Sequence, residues 1–192
     1  NEDTRSEFIE KNKLKILRKY QVNAIKAVQK SAQNGNKRFL LEMATGTGKT
    51  LTCAAIIKLF LKTGNAQRIL FLVDRIELEN QAKKSFRQSI GKDYVVKVWK
   101  EDRDNWKTAD IVISTVQSLL ASNRYRDFSP NDFNLIISDE AHRSIGGNAR
   151  AVFEYFTGYK IGLTATPKDF LKNTKQDENS EKEFERRELL DT

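Results

Sequence analysis

The chain has 192 residues, with 34 Lys and Arg against 26 Asp and Glu and a net charge of +8. That length suits one α/β domain with a well-buried core and excludes two large ones. The positive balance suits a polyanion without giving sequence specificity, the single cysteine excludes an intrachain disulfide, and no apolar run approaches the ~18 residues of a membrane span.

In chain order, the opening from Asn1 to Arg5 has neither a signal-like apolar stretch nor an initiator Met, and reads as part of something larger. Lys11, Lys13, Lys15, Arg18 and Lys19 form the densest basic group, equally readable as a solvated helix face. A helix is expected over 14–33, with Gly35 beyond its end, then a strand over 39–43. A helix over 49–62 is followed by Gly64, a strand over 69–73 and a helix over 75–89. Residues 94–99 form a candidate strand, and further strands are expected over 111–114, 135–138 and 161–163. Continuous apolar runs suit strands covered on both faces, and their alternation with helices predicts an α/β fold, a doubly wound parallel sheet. From Lys168 the composition turns polar, so residues 1–167 read as the folded domain and 168–192 as a linker with a short charged helix over 181–190. Cys53 reads as packing, and one cysteine fits a reducing cytoplasm.

Between the first strand and its helix lies Met43-Ala44-Thr45-Gly46-Thr47-Gly48-Lys49-Thr50. A glycine-punctuated turn of this kind leaves backbone N–H groups to surround a phosphate at a helix N-terminus. Lys49 is then placed to neutralise the β and γ phosphates of ATP, and the Thr50 hydroxyl to ligate Mg²⁺. The strict P-loop pattern asks for Gly where Met43 stands; the rest is intact. A second half-site follows the 135–138 run, where Asp139 is suited to hold the metal, usually through water, and Glu140 to orient the attacking water.

Asp139-Glu140-Ala141-His142, with Gly-Thr-Gly-Lys-Thr before it and Leu163-Thr164-Ala165-Thr166-Pro167 after it, resembles the first RecA-like domain of superfamily 2 helicases and translocases. The resemblance runs from about Arg18 to Pro167 and has the three motifs in the family's order. It implies a RecA-like P-loop NTPase fold. It also implies that Gln21, with Arg18 beside it, reads the adenine, through a pair of hydrogen bonds that a glutamine amide can make. Arg75, after Phe71-Leu72-Val73-Asp74, and Thr115 and Gln117, in Ile113-Ser114-Thr115-Val116-Gln117, are implied nucleic-acid contacts at the carboxyl ends of strands. From the residues alone, Arg75 is equally a surface ion pair, whereas for Thr115 contact with the nucleic-acid strand is preferred over the alternative of a helix cap. Thr164 and Thr166 are implied to couple the nucleotide site to the nucleic-acid track, and His142 to couple rather than act as a base.

Within the superfamily, Met-Ala-Thr-Gly-Thr-Gly-Lys-Thr, Phe-Leu-Val-Asp-Arg, Asp-Glu-Ala-His-Arg-Ser and Lys160-Ile161-Gly162-Leu163-Thr164-Ala165-Thr166-Pro167-Lys168 are most similar to the R (restriction, motor) subunit of type I restriction enzymes. So is the ending from Glu185 to Thr192, which resembles the segment leading to that subunit's second motor domain. The resemblance implies ATP-driven translocation of double-stranded DNA, modification and specificity subunits as partners, a second RecA-like domain supplying catalytic arginines, and a nuclease ahead of the motor. Without that second domain, slow turnover and no directional movement are expected. The alternatives are another superfamily 2 motor (type III restriction, DNA-repair or RNA helicase) or a nucleotide-switched binding module.

Overall fold

A computed structural model describes residues 17–44, 46–139 and 148–165. Among these, six strands form one sheet, and every pairing in it is parallel. Along the chain run α1 (Lys19–Gln33), β1 (Arg38–Glu42), α2 (Lys49–Lys62), β2 (Ile69–Val73), α3 (Ile76–Ile90) and β3 (Val96–Val98). Then follow β4 (Ile111–Thr115), α4 (Val116–Leu120), β5 (Leu135–Ser138), α5 (Asn148–Tyr155) and β6 (Tyr159–Thr164), with short 3-10 turns at Trp99–Glu101, Trp106–Thr108 and Ala121–Asp127. The spatial order is β1-β6-β5-β2-β4-β3.

Strands buried on both faces must be apolar at every position, and β2 (Ile-Leu-Phe-Leu-Val) is buried throughout. Alternate residues feed two cores. Ile69, Phe71, Ile111, Ile113, Leu135, Ile137 and Leu163 pack against α1, α2 and α3, which contribute Val28, Ile56, Phe60 and Phe86. Leu70, Leu72, Val112 and Ile136 face the other way, onto α4, α5 and the rings of Trp99, Trp106, Phe128, Phe133 and Phe156. The result is a helix–sheet–helix sandwich, as the apolar runs predict.

The departures are local. The candidate strand 94–99 shortens to Val96–Val98, because the Asp110 carboxylate takes the Val95 N–H at 2.7 Å and Trp99 enters a 3-10 turn. β6 begins two residues earlier than its apolar run, at Tyr159, and includes the buried Lys160. The ammonium of Lys160 lies 3.2 Å from Glu154 of α5, whose carboxylate also accepts two bonds from the Arg38 guanidinium, at 2.6 and 2.5 Å. The expected start of the first helix at residue 14, the linker 168–192 and the charged segment 181–190 lie outside the described residues.

The Arg38 bonds, together with Lys160, lower the Glu154 carboxyl from its usual 4.5 to about 2. A depressed carboxylate stabilises the fold above its unfolded value, and that contribution is lost as pH falls through the folded one. Glu154→Gln should therefore lower the urea midpoint at neutral pH, with the difference from wild type closing between about 4.5 and 2, as equilibrium unfolding across pH will show.

Candidate nucleotide site and strand-end rim

All six strands run in one direction, so their carboxyl ends share one rim. The turn after β1 is built there. Gly46 and Gly48 have φ of 78° and 81°, in the left-handed region, and Gly48 is the N-cap of α2. The Thr47 N–H donates to Ala44 O at 3.3 Å and its hydroxyl to the same oxygen at 2.6 Å. At the foot of the loop the Met43 N–H donates to Thr164 O at 2.9 Å, tying the exit of β1 to the end of β6.

Gln21, in the first turn of α1, is buried beneath this loop. Its Nε2 donates to Thr47 O at 3.1 Å and Gly48 O at 3.3 Å, while its Oε1 accepts the Arg18 N–H at 2.8 Å. The Tyr20 hydroxyl also donates to Thr47 O, at 2.6 Å. Loop carbonyls thus turn outward onto α1, which suits a loop that offers its N–H groups to an anion on the other side. The amide of Gln21 thus supports the glycine loop from below, and Arg18 is exposed beside it at the N-cap of α1. Tyr20 was not singled out from sequence; its only signal is its place next to Gln21.

Lys49 and Thr50 begin α2 and are half-buried. Asp139 follows β5, its N–H donating to Leu72 O at 2.9 Å, so the pairing of β5 with β2 extends one residue past the strand. Cys53, one turn into α2 and fully buried, reports on both groups. Burial pushes its thiol up, the negative charge of Asp139 pushes it further, and the positive charge of Lys49 opposes this. The loop lysine and the strand-end aspartate therefore act on the same buried point, although 90 residues separate them in sequence. This donor set fits a magnesium nucleotide: glycines with no side chain to fill the cradle, an ammonium, a hydroxyl and a carboxylate. Thr45, Glu140, His142 and Thr166 lie outside the described residues.

The implied nucleic-acid residues share the same rim further along the sheet. Arg75 is the exposed N-cap of α3, with its Nε 3.8 Å from the neighbouring Asp74 carboxylate, a weak surface contact. Gln117 is exposed on α4. Thr115 differs: its side chain is buried and caps α4, accepting the Ser118 N–H at 3.1 Å. The cap geometry is therefore what the structure gives this residue. Thr164 is buried at the end of β6, in register with Glu42 of β1. One residue the sequence reading passed over is Glu79, fully buried on α3 in phase with Ala82, Phe86 and Ile90. A carboxylate at an apolar-phase position was its signal.

Residues 14–169 match the family described as the type III restriction enzyme, res subunit. The type I restriction enzyme EcoAI endonuclease subunit of Escherichia coli is 37% identical over 163 residues, covering 81% of this chain and 20% of that protein. The chain thus spans about a fifth of this relative's length. A nuclease-deletion mutant of the type ISP restriction-modification enzyme LlaGI, solved with a DNA substrate mimic, superposes with TM-score 0.61 at 27% identity, over 80% of this chain and 18% of that one. The Sulfolobus solfataricus SWI2/SNF2 ATPase core, at 22% identity, TM-score 0.69 and coverage of 80% and 32%, shares the fold, a RecA-like parallel sheet with helices on both faces.

An ideal Cβ on Gly48 would lie 2.7 Å from Gln21 Nε2, at a φ that L-residues rarely adopt. Gly48→Ala should lower the unfolding free energy by about 1–2 kcal/mol, the order of the left-handed penalty, and displace Gln21. Urea denaturation followed beside nucleotide titration checks both effects.

Proposed function

This chain belongs to the family described as the type III restriction enzyme, res subunit, and from that premise we propose that it is the ATP-binding motor domain of a double-stranded DNA translocase, of the kind carried by the R subunit of type I restriction enzymes. The observation that most supports this is a glycine loop, with Gly46 and Gly48 in the left-handed region, that opens α2 at Lys49 on the same carboxyl rim of the sheet as Asp139. The relatives at 37% and 33% identity, both type I endonuclease subunits from Escherichia coli, favour the type I assignment.

The N–H groups of 46–49 would hold the phosphates, Lys49 would neutralise their charge, and Thr50 and Asp139 would hold Mg²⁺. Glu140 orients the water that attacks. Bound Mg-ATP supplies the transferable phosphoryl group and the cation that spreads its charge. Arg18 and Gln21 would hold the adenine, as the family resemblance implies. Arg75, Thr115 and Gln117 form the DNA side of the rim, with Thr115 acting through its cap. Thr164, joined to Met43 at the base of the loop, and His142 and Thr166 link the two sides.

Movement requires a second RecA-like domain that closes on ATP and contributes arginines, which are worth several orders of magnitude in rate. The isolated chain should therefore turn over ATP slowly. In the cell it acts in the cytoplasm with modification and specificity subunits. A second reading, the motor of a type III restriction enzyme, is favoured by the description of the matching family itself.

The test is titration of the full-length protein with a fluorescent ATP analogue and Mg²⁺. Lys49→Ala should weaken binding at least tenfold, about 1.4 kcal/mol; equal affinity in the variant would sink the phosphate-loop assignment. Glu140→Gln should leave analogue binding within about twofold while reducing DNA-stimulated ATP hydrolysis by about 10²-fold or more, the scale of a positioned acid–base group. An unchanged ATPase would favour a nucleotide-switched binding module instead.

A further inference from the structure

Glu79 sits among apolar residues on the inner face of α3 and is fully buried. Its Oε1 accepts the backbone N–H of Thr115 at 2.9 Å, and its Oε2 lies 2.6 Å from the ammonium of Lys100, whose side chain is 30% exposed. Neither partner is close in sequence: Lys100 is in the 3-10 turn after β3, and Thr115 ends β4. One carboxylate thus joins the segments that leave three neighbouring strands, β2, β4 and β3, at their carboxyl rim.

A buried ionised carboxylate is costly, and an apolar side chain of similar volume would serve stability at least as well. What Glu79 supplies and an apolar residue cannot is direction. It fixes the Thr115 amide while the Thr115 hydroxyl accepts the Ser118 N–H and lies 2.7 Å from Ser118 Oγ. The first turn of α4 is therefore oriented with Gln117 outward, on the rim that also carries Arg75. The other oxygen holds Lys100 to the same rim.

We infer that Glu79 is a positioning residue for the DNA-facing rim, acting through Thr115 and Lys100 to hold the exits of β2, β3 and β4 in one arrangement. This rests on the reading of the chain as a DNA motor. Glu79 lies on neither the phosphate loop nor the acidic strand end, so its effect should fall on DNA and not on nucleotide.

The experiment compares duplex DNA binding by fluorescence anisotropy over a salt series with binding of the fluorescent ATP analogue, both in the full-length protein. Glu79→Ala, which removes both interactions, should weaken duplex affinity about tenfold and leave analogue affinity within about twofold. The slope of log affinity against log salt should be unchanged, because no phosphate contact is deleted. The double variant Glu79→Gln with Lys100→Met keeps an acceptor for the Thr115 N–H and removes the ammonium that an amide would face; it should recover affinity to within about threefold of wild type. Should Glu79→Ala fail to fold, Lys100→Met alone leaves the carboxylate without its cation and should weaken duplex binding at least threefold. Wild-type duplex affinity in Glu79→Ala, or in Lys100→Met where that replaces it, or equal losses for duplex and analogue, would overturn the inference. Absence of salt-dependent duplex binding by the wild type, read before any variant, would instead remove the motor reading and the inference with it.

Discussion

A parallel sheet covered on both faces leaves chemistry only its rims, and the rest of this molecule follows from that constraint. Because the six strands are parallel, the residues after them (Met43, Asp74, Trp99, Val116, Asp139 and Ala165) all emerge at one rim. The phosphate loop, the acidic strand end and the exposed Arg75 and Gln117 are thereby assembled from distant segments without any of them entering the core. Two layers of helices set how deep that rim lies. Open α/β sheets in general bind ligands there.

Within the rim, two kinds of polar support recur. Under the phosphate loop, Gln21 and Tyr20 take outward-facing carbonyls, so the loop is held by α1 as well as by the strand and helix it joins. Farther along, Glu79 takes an outward-facing amide. In both places a side chain from a preceding helix satisfies backbone groups that a turn leaves unmatched. Such buried polar contacts cost more to break singly than they contribute to net stability, and so they fix conformation more than they add free energy.

Much of this was legible in the sequence, and the exceptions have physical reasons. The runs 69–73 and 135–138 coincide with β2 and β5 because both strands are central and need apolar residues on both faces. β6 was read too short because Lys160 is buried by an ion pair with a residue of α5, a tertiary event that hydropathy does not register. The start of the 94–99 run was lost to the carboxylate of Asp110, fifteen residues beyond the Val95 amide that it binds. At the site, the left-handed glycines of the loop were legible because a tight turn needs that residue type locally. Gln21 was singled out by resemblance, and for the adenine; its bonds to Thr47 and Gly48 span 26 and 27 residues, beyond the reach of any local pattern. The phase of Glu79 on α3 was visible, but its partners depend on strand order, which no local pattern encodes.

The burial of Cys53 has a consequence for how the site can be watched. It is the only cysteine in the 192-residue chain; burial raises its thiol, with the negative charge of Asp139 adding to this, and so disfavours the thiolate that alkylating reagents attack. Modification then requires an opening of the packing around α2 that exposes the sulfur. The native chain therefore carries its own clock for that opening. The rate at which a thiol reagent is consumed measures how often the floor of the nucleotide site breathes, and slower consumption with a bound ligand measures how firmly that ligand holds the floor in place.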